Sequence, residues 1–140
     1  MNNSSTKLLV ILIILFCGIS SKLVAQWEEC NNGPYGDINI IVTDGNRIFA
    51  GTNGGGIYLS TNNGGSWKAK NNGLPNMYIS ALAISGSNIF AGAYSDNNFS
   101  NGGIFLSTDN GENWKSITRG LIDTNISSIA IFGNYILAGT

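Results

Sequence analysis

Histidine is absent from this 140-residue chain. That absence excludes a Ser-His-Asp or Cys-His nucleophile system, an imidazole metal ligand and an imidazole acid–base group. Charge is scarce as well: Asp, Glu, Lys and Arg make up 11% of the residues, against about a quarter in an average globular protein. Seven basic and eight acidic residues leave a formal charge of -1, so the basic footprint of a nucleic-acid partner is missing. Prolines number two and cysteines two. The longest apolar run, Leu8 to Phe16 with a weak continuation to Ile19, falls short of the roughly 20 residues of a spanning helix. The length suits one domain or less, and no residue pattern asks for a cofactor.

What the chain has instead is 20 Asn and 19 Gly, residues that favour tight turns. Such a composition predicts an all-β protein of many short strands. The first 25 residues stand apart from this pattern. Lys7 supplies a positive start, the apolar run follows, and Ser20-Ser21-Lys22 leads to Leu23-Val24-Ala25-Gln26. That order predicts a signal peptide cut after Ala25, and hence a secreted or cell-surface protein. Lipid attachment at Cys17 fits less well, because bulky Phe16 stands where a small residue is expected. Cleavage would leave Cys30 as the single cysteine, so no internal disulfide could form, and would leave no transmembrane helix. It would also remove Lys7 and Lys22, leaving five basic against eight acidic residues.

From residue 26 to 140 the chain repeats itself. Ile48-Phe49-Ala50-Gly51-Thr52 returns as Ile89-Phe90-Ala91-Gly92-Ala93 and as Ile136-Leu137-Ala138-Gly139-Thr140. Gly56-Ile57-Tyr58-Leu59-Ser60-Thr61 returns as Gly103-Ile104-Phe105-Leu106-Ser107-Thr108. The period is 41 residues, stretched to 47 in the second copy by six extra residues between Tyr94 and Gly102. Each period reads as four short strands: 38–43, 47–52, 56–60 and 66–70 in the first copy, and 79–85, 88–93, 103–107 and 113–118 in the second. Asp44-Gly45-Asn46 and Gly86-Ser87 mark the reversals between first and second strands. Four strands every forty-odd residues predict β-propeller blades. The blades should span about 37–70 and 78–118, with a partial blade at 126–140 and a lone fourth strand at Trp27 to Cys30. A closed propeller needs at least four blades. The expectation is therefore a propeller continuing beyond Thr140, in preference to copies associating through an unpaired edge strand.

Ser60-Thr61-Asn62-Asn63-Gly64-Gly65-Ser66-Trp67 and Ser107-Thr108-Asp109-Asn110-Gly111-Glu112-Asn113-Trp114 resemble Asp-boxes, the S-x-D-x-G-x-x-W repeats of sialidase-like propellers. The structural positions would be Ser60, Asn62, Gly64 and Trp67, then Ser107, Asp109, Gly111 and Trp114. An Asx side chain there can accept backbone N–H groups across the turn, and the Trp can fill the gap between sheets. The wider repeat, with Gly73-Leu74-Pro75 and its Ala-Gly-Thr ending, is similar to xyloglucanase-like glycosidases and photosystem II assembly factors. In the sialidase family the box is structural and lies away from the active site. The resemblance also implies an arginine triad for catalysis, whereas this chain holds only Arg47 and Arg119.

Candidate chemistry is therefore sparse. Asp96 and Asp123 could form a carboxylate pair for glycoside hydrolysis, since their loops should share one face; solvated loop acids are the plainer reading. Asp96, Asn98 and Ser100 have an oxygen-rich Ca²⁺-loop spacing, but Asn101 stands where Gly is wanted and Ser107 where a bidentate Glu is wanted, so no metal site is expected. Asn98-Phe99-Ser100 and Asn125-Ile126-Ser127 match glycosylation sequons. The insertion is the feature that breaks the repeat, and loops on a rigid scaffold concentrate binding residues. The expected binding face joins Tyr94, Asp96 and Phe99 to Asn76, Tyr78, Arg119 and Asp123. The function expected is a non-catalytic binding or scaffold module for a protein or glycan. The alternatives are a fragment of a polysaccharide-active glycoside hydrolase and an assembly factor.

Overall fold

The computed structural model describes residues 33–95 and 101–140. The expected signal peptide, the Trp27 to Cys30 strand, and Asp96 and Phe99 lie outside the described residues.

Ten strands and no helix make up the described chain. The first sheet is an antiparallel meander of β1 (Asp37–Asp44), β2 (Arg47–Asn53), β3 (Gly56–Ser60) and β4 (Lys68–Ala69). The second repeats it with β5 (Ile79–Ser85), β6 (Asn88–Ala93), β7 (Gly103–Ser107) and β8 (Lys115–Ser116). A hairpin follows, β9 (Ser128–Phe132) with β10 (Tyr135–Gly139). Each first hairpin closes on a two-residue turn opened by a glycine at positive φ, 59° at Gly45 and Gly86, a conformation that fits the right-handed strand twist.

The fourth strands are shorter than the expected 66–70 and 113–118. The tight turn before each strand takes the backbone N–H of Ser66 and of Asn113 onto an Asx side chain. Beyond each ladder one further bond forms, Lys70 N to Ile57 O at 2.8 Å and Ile117 N to Ile104 O at 2.8 Å. A side chain then replaces the backbone partner: Asn71 Oδ1 accepts Ile57 N–H at 2.7 Å, and Thr118 Oγ1 accepts Ile104 N–H at 3.2 Å.

The core lies between successive sheets. Phe49, Ile57, Ile79, Leu82, Ile89 and Trp114 form one buried cluster, and Ala81, Ile104 and Ile126 a second one. A single contact explains the recurring Ala-Gly. A Cβ on Gly51 would stand 2.6 Å from Ile79 Cγ2, and a Cβ on Gly92 would stand 2.5 Å from Ile126 Cγ2. Glycine thus opens a socket in one sheet for an isoleucine of the next. Burying each isoleucine stabilises the stack by about 1.5–3 kcal/mol.

Beside each socket the ladder bulges, at Asn39 and at Ser80. These extra residues aim polar groups at the following sheet. Asn39 Nδ2 donates to Ile79 O at 3.0 Å, and Ser80 Oγ donates to Ile126 O as well as to Gly92 O. The sheets are therefore joined by a repeated unit of one socket, one isoleucine and one side-chain donor.

Candidate functional site

Connections between strands separate to two ends of the stack, with different chemistry at each. At one end lie the two Ser-to-Trp turns, which share their backbone-to-side-chain hydrogen bonds. Ser60 Oγ accepts Gly64 N–H at 2.9 Å while Asn62 Oδ1 accepts Ser66 N–H at 2.9 Å. Ser107 Oγ accepts Gly111 N–H at 2.8 Å while Asp109 Oδ1 accepts Asn113 N–H at 2.9 Å. Asn63 and Asn110 hold φ of 56° and 60°, followed by Gly64 and Gly111 at 87° and 81°; Asn is among the few non-glycine residues that tolerate this.

Only the last bond differs. Asn62 Nδ2 donates to Ser66 Oγ, whereas Asp109 Oδ2 accepts from Asn113 Nδ2. Donor and acceptor have exchanged sides. The bonds from the Asn113 side chain and backbone, and that from Ser107, hold the Asp109 carboxyl down at about 2.

Trp114 is buried, with its Nε1 donating to Lys70 O at 2.8 Å, so it fastens the second sheet to the first. Trp67 is half-buried, and its Nε1 is enclosed without a hydrogen-bond partner. Lys70 is buried beside the Trp114 turn and pairs through Nζ with exposed Glu112, which lowers the Glu112 pKa, first through the hydrogen bond and then through the charge. Arg47 pairs with Asp44, donates to Asn110 of the second turn and lies 5.9 Å from the Phe49 ring centroid. Trp114, the Lys70–Glu112 pair and the Arg47–Asn110 bond join the first sheet to the second. Hollows of about 220 and 690 Å³ beside Trp67 and Trp114 occupy matching places in the two repeats. Their recurrence marks them as features of repeat packing.

The opposite end holds most of the described residues expected to bind. Asn76 and Asp123 occupy equivalent places 47 positions apart, and each builds the same turn: Asn76 Oδ1 accepts Tyr78 N–H and Asp123 Oδ1 accepts Asn125 N–H, both at 2.8 Å. Asn76 is buried, and its Nδ2 donates to Tyr94 O at 2.8 Å. Both ends of its amide are spent on the chain, so Asn76 positions Tyr94 and is not a contact surface. The rings of Tyr78 and Tyr94 pack with centroids 5.5 Å apart, tilted by 53°. The Tyr94 hydroxyl donates to Asn53 Oδ1 at 2.8 Å, and Asn125 Oδ1 accepts Ser95 N–H at 2.8 Å.

Beside Tyr94 opens a hollow of about 520 Å³, lined by Ser80, Tyr94, Ser95, Asn125, Ser127 and Thr140 with Ile126. Its exposed lining is mostly apolar, the lining residues include one aromatic residue, and no charged side chain is among them. Asp123 stands beside it through its turn with Asn125. Arg119 is exposed in the link after β8 and makes no hydrogen bond or ion pair among the described residues, so no contact gathers it with Tyr94.

The expected binding face left out Asn39, Ser80, Asn125 and Ser127. Asn39, Ser80 and Ser127 recur at the repeat period as a polar residue in an apolar stretch, whereas Asn125, whose counterpart is Tyr78, carried no such signal. Among the described residues no three of His, Cys, Asp or Glu gather as metal ligands, and no helix is long and apolar enough to cross a membrane.

No family model matches the chain, and no curated protein does. Among solved structures it is similar to an ancestral GH74 enzyme with a β-propeller fold, at 28% sequence identity and a TM-score of 0.60 over 80% of this chain. The chain spans 14% of that enzyme's length. The repeated four-stranded antiparallel sheets, stacked face to face, are β-propeller blades.

Proposed function

We propose that this chain is an exported β-propeller module with Asp-box turns, and that it binds a neutral carbohydrate in the hollow beside Tyr94. The observation that carries this reading is the lining itself: Tyr94 with mostly apolar surface beside the uncharged residues Ser80, Asn125 and Ser127, and no charged side chain among them. Sugars present hydroxyls for hydrogen bonds and C–H faces for stacking on an aromatic ring, which matches such a wall. The two Ser-to-Trp turns, 47 residues apart with equivalent bonds, support the Asp-box assignment, and Lys7 with the run to Phe16 supports export. Asp96 and Phe99, in the same insertion of the sequence as Tyr94, are proposed to contribute to binding.

Titration of neutral β-glucan oligosaccharides, followed by calorimetry, tests the reading. Binding should appear and should weaken about tenfold in Tyr94→Ala, the equivalent of one stacking contact. Absence of binding across neutral oligosaccharides, or a Tyr94→Ala variant with unchanged affinity, overturns it.

A second reading is favoured by the structural neighbour being a GH74 enzyme: the chain is part of a glycoside hydrolase in which Asp96 and Asp123 take part. Release of reducing sugar that disappears in Asp96→Asn or Asp123→Asn would establish it.

A further inference from the structure

Away from the insertion, the described chain holds the Asn-Gly steps Asn53-Gly54, Asn63-Gly64, Asn72-Gly73 and Asn110-Gly111. An asparagine followed by glycine is the one most open to attack by its own backbone, because no Cβ on the next residue shields the nitrogen. The attack needs that nitrogen free. Gly54 N–H is held by Met77 O at 3.1 Å, Gly64 N–H by Ser60 Oγ at 2.9 Å and Gly111 N–H by Ser107 Oγ at 2.8 Å.

Asn72-Gly73 differs. Both residues are exposed, and Gly73 N–H makes no hydrogen bond with the described residues. Gly73 is the third residue of a turn closed by Leu74 N–H on Asn71 O at 3.0 Å, with φ of 87°, so its own nitrogen takes no part in the closing bond. The sheets on both sides of this step are in place. Trp114 N–H donates to Asn72 O at 2.9 Å, and Asn72 Nδ2 donates to Asn113 Oδ1 at 2.5 Å.

We propose that Asn72 is a self-modification site, converted to aspartate and isoaspartate by the Gly73 nitrogen. A bond forms from that nitrogen to Asn72 Cγ, the bond from Cγ to Nδ2 breaks, and ammonia leaves with the proton of the Gly73 nitrogen. Water then opens the cyclic imide, at Cγ to give aspartate or at the backbone carbonyl to give isoaspartate. Water is the one co-reactant in the balance.

The consequence follows from what Asn72 holds. Either product loses the donor to Asn113 Oδ1 and sets a carboxylate beside the amide that also donates to Asp109, where like charges oppose one another. In isoaspartate the main chain runs through the former side chain. The carbonyl that accepted Trp114 N–H then belongs to a free carboxylate, and the turn is one atom longer. Modification therefore loosens the seam between the first two sheets. It is independent of the carbohydrate reading.

Peptide mapping by mass spectrometry, on the full folded chain held in mildly alkaline buffer, tests the proposal. Aspartate and isoaspartate should accumulate at Asn72 about fivefold faster than at Asn53, Asn63 or Asn110, the factor that one hydrogen bond on the glycine nitrogen supplies. The rate should rise with pH, since the attacking nitrogen must lose its proton. In urea the other three rates should climb toward that of Asn72. Asn72→Asp copies one product and should melt at a lower temperature than the wild type at pH 7. At pH 3, below the usual carboxylate range, its protonated carboxyl can again donate to Asn113 and the difference should shrink. Equal rates at the four positions in the folded chain, or an Asn72 that outlasts any of the other three, overturn the proposal. An Asn72→Asp variant that melts with the wild type at pH 7 overturns the loosening of the seam.

Discussion

Ile38, Ile79 and Ile126 are one residue written three times, and their environments differ only in what lies against them. Ile79 and Ile126 fill sockets between sheets, while Ile38 is exposed. The same truncation should therefore have unequal effects. Ile79→Ala and Ile126→Ala should each destabilise by about 2–5 kcal/mol, because the sockets cannot collapse around the missing atoms. Ile38→Ala in the monomer should change stability by less than about 0.5 kcal/mol. Urea unfolding at low protein concentration compares all three.

Asp109 gives a second residue-scale test. Its pKa in the folded chain is about 2, against 3.8 ordinarily. A carboxylate with a depressed pKa stabilises the fold above its unfolded value, and that contribution is lost as pH falls through the folded value. Stability should thus decline between about pH 4 and pH 2. Asp109→Asn should remove this slope, and at neutral pH it sets an amide against the Asn113 amide. The double change Asp109→Asn with Asn113→Ser copies the Asn62–Ser66 pair and should recover stability lost by the single change. Thermal melts at pH 7 and pH 3 measure both effects.

At the scale of elements, the bulges carry the side-chain donors that join one sheet to the next. Ser80→Ala leaves the Ile126 carbonyl without its side-chain donor and should destabilise by about 1 kcal/mol. Backbone amides of β9 should then exchange faster with deuterium than those of β3, since β9 is held through Ile126 and its neighbours.

Strand positions were legible in the sequence because apolar and β-branched runs end at Gly, Asn and Asp, and the repeat confirms each run. The observed ends agree closely except in β4 and β8, where Asx side chains compete with the ladder for N–H groups. The stapled turns were also legible, down to Ser60, Asn62 and Gly64. The bulges were not, since a polar residue in a first strand looks like ordinary alternation until its distant carbonyl partner is known. Burial of Asn76 was hidden for the same reason: composition marks it as a surface amide, while two backbone groups draw it inward. Pairing of buried Lys70 with Glu112, 42 positions away, depends on how one sheet lies on the next.

On the scale of the whole molecule, the described chain is a short stack whose middle sheet is sandwiched and whose outer faces are open. Ile41 at one end and Phe132, Tyr135 and Leu137 at the other are exposed. Stability in such an array is local, set by each sheet and its neighbours. Among the described sheets, unfolding should begin at the β9–β10 hairpin, which has two strands where the others have four. Deuterium exchange should show protection highest in β6 and lowest in β10.

The connection from Ala93 to Gly103 is six residues longer than the one from Thr52 to Gly56, yet the flanking pairs Ala93–Gly103 and Thr52–Gly56 keep the same register. Tripling a connection from three to nine residues raises loop-closure entropy by only about 1 kcal/mol. The blade has in effect been given a port for foreign sequence. Every residue of the sockets, bulges and stapled turns lies outside the stretch between Ser95 and Asn101, so the sequence of that stretch can vary separately from the residues that build the scaffold.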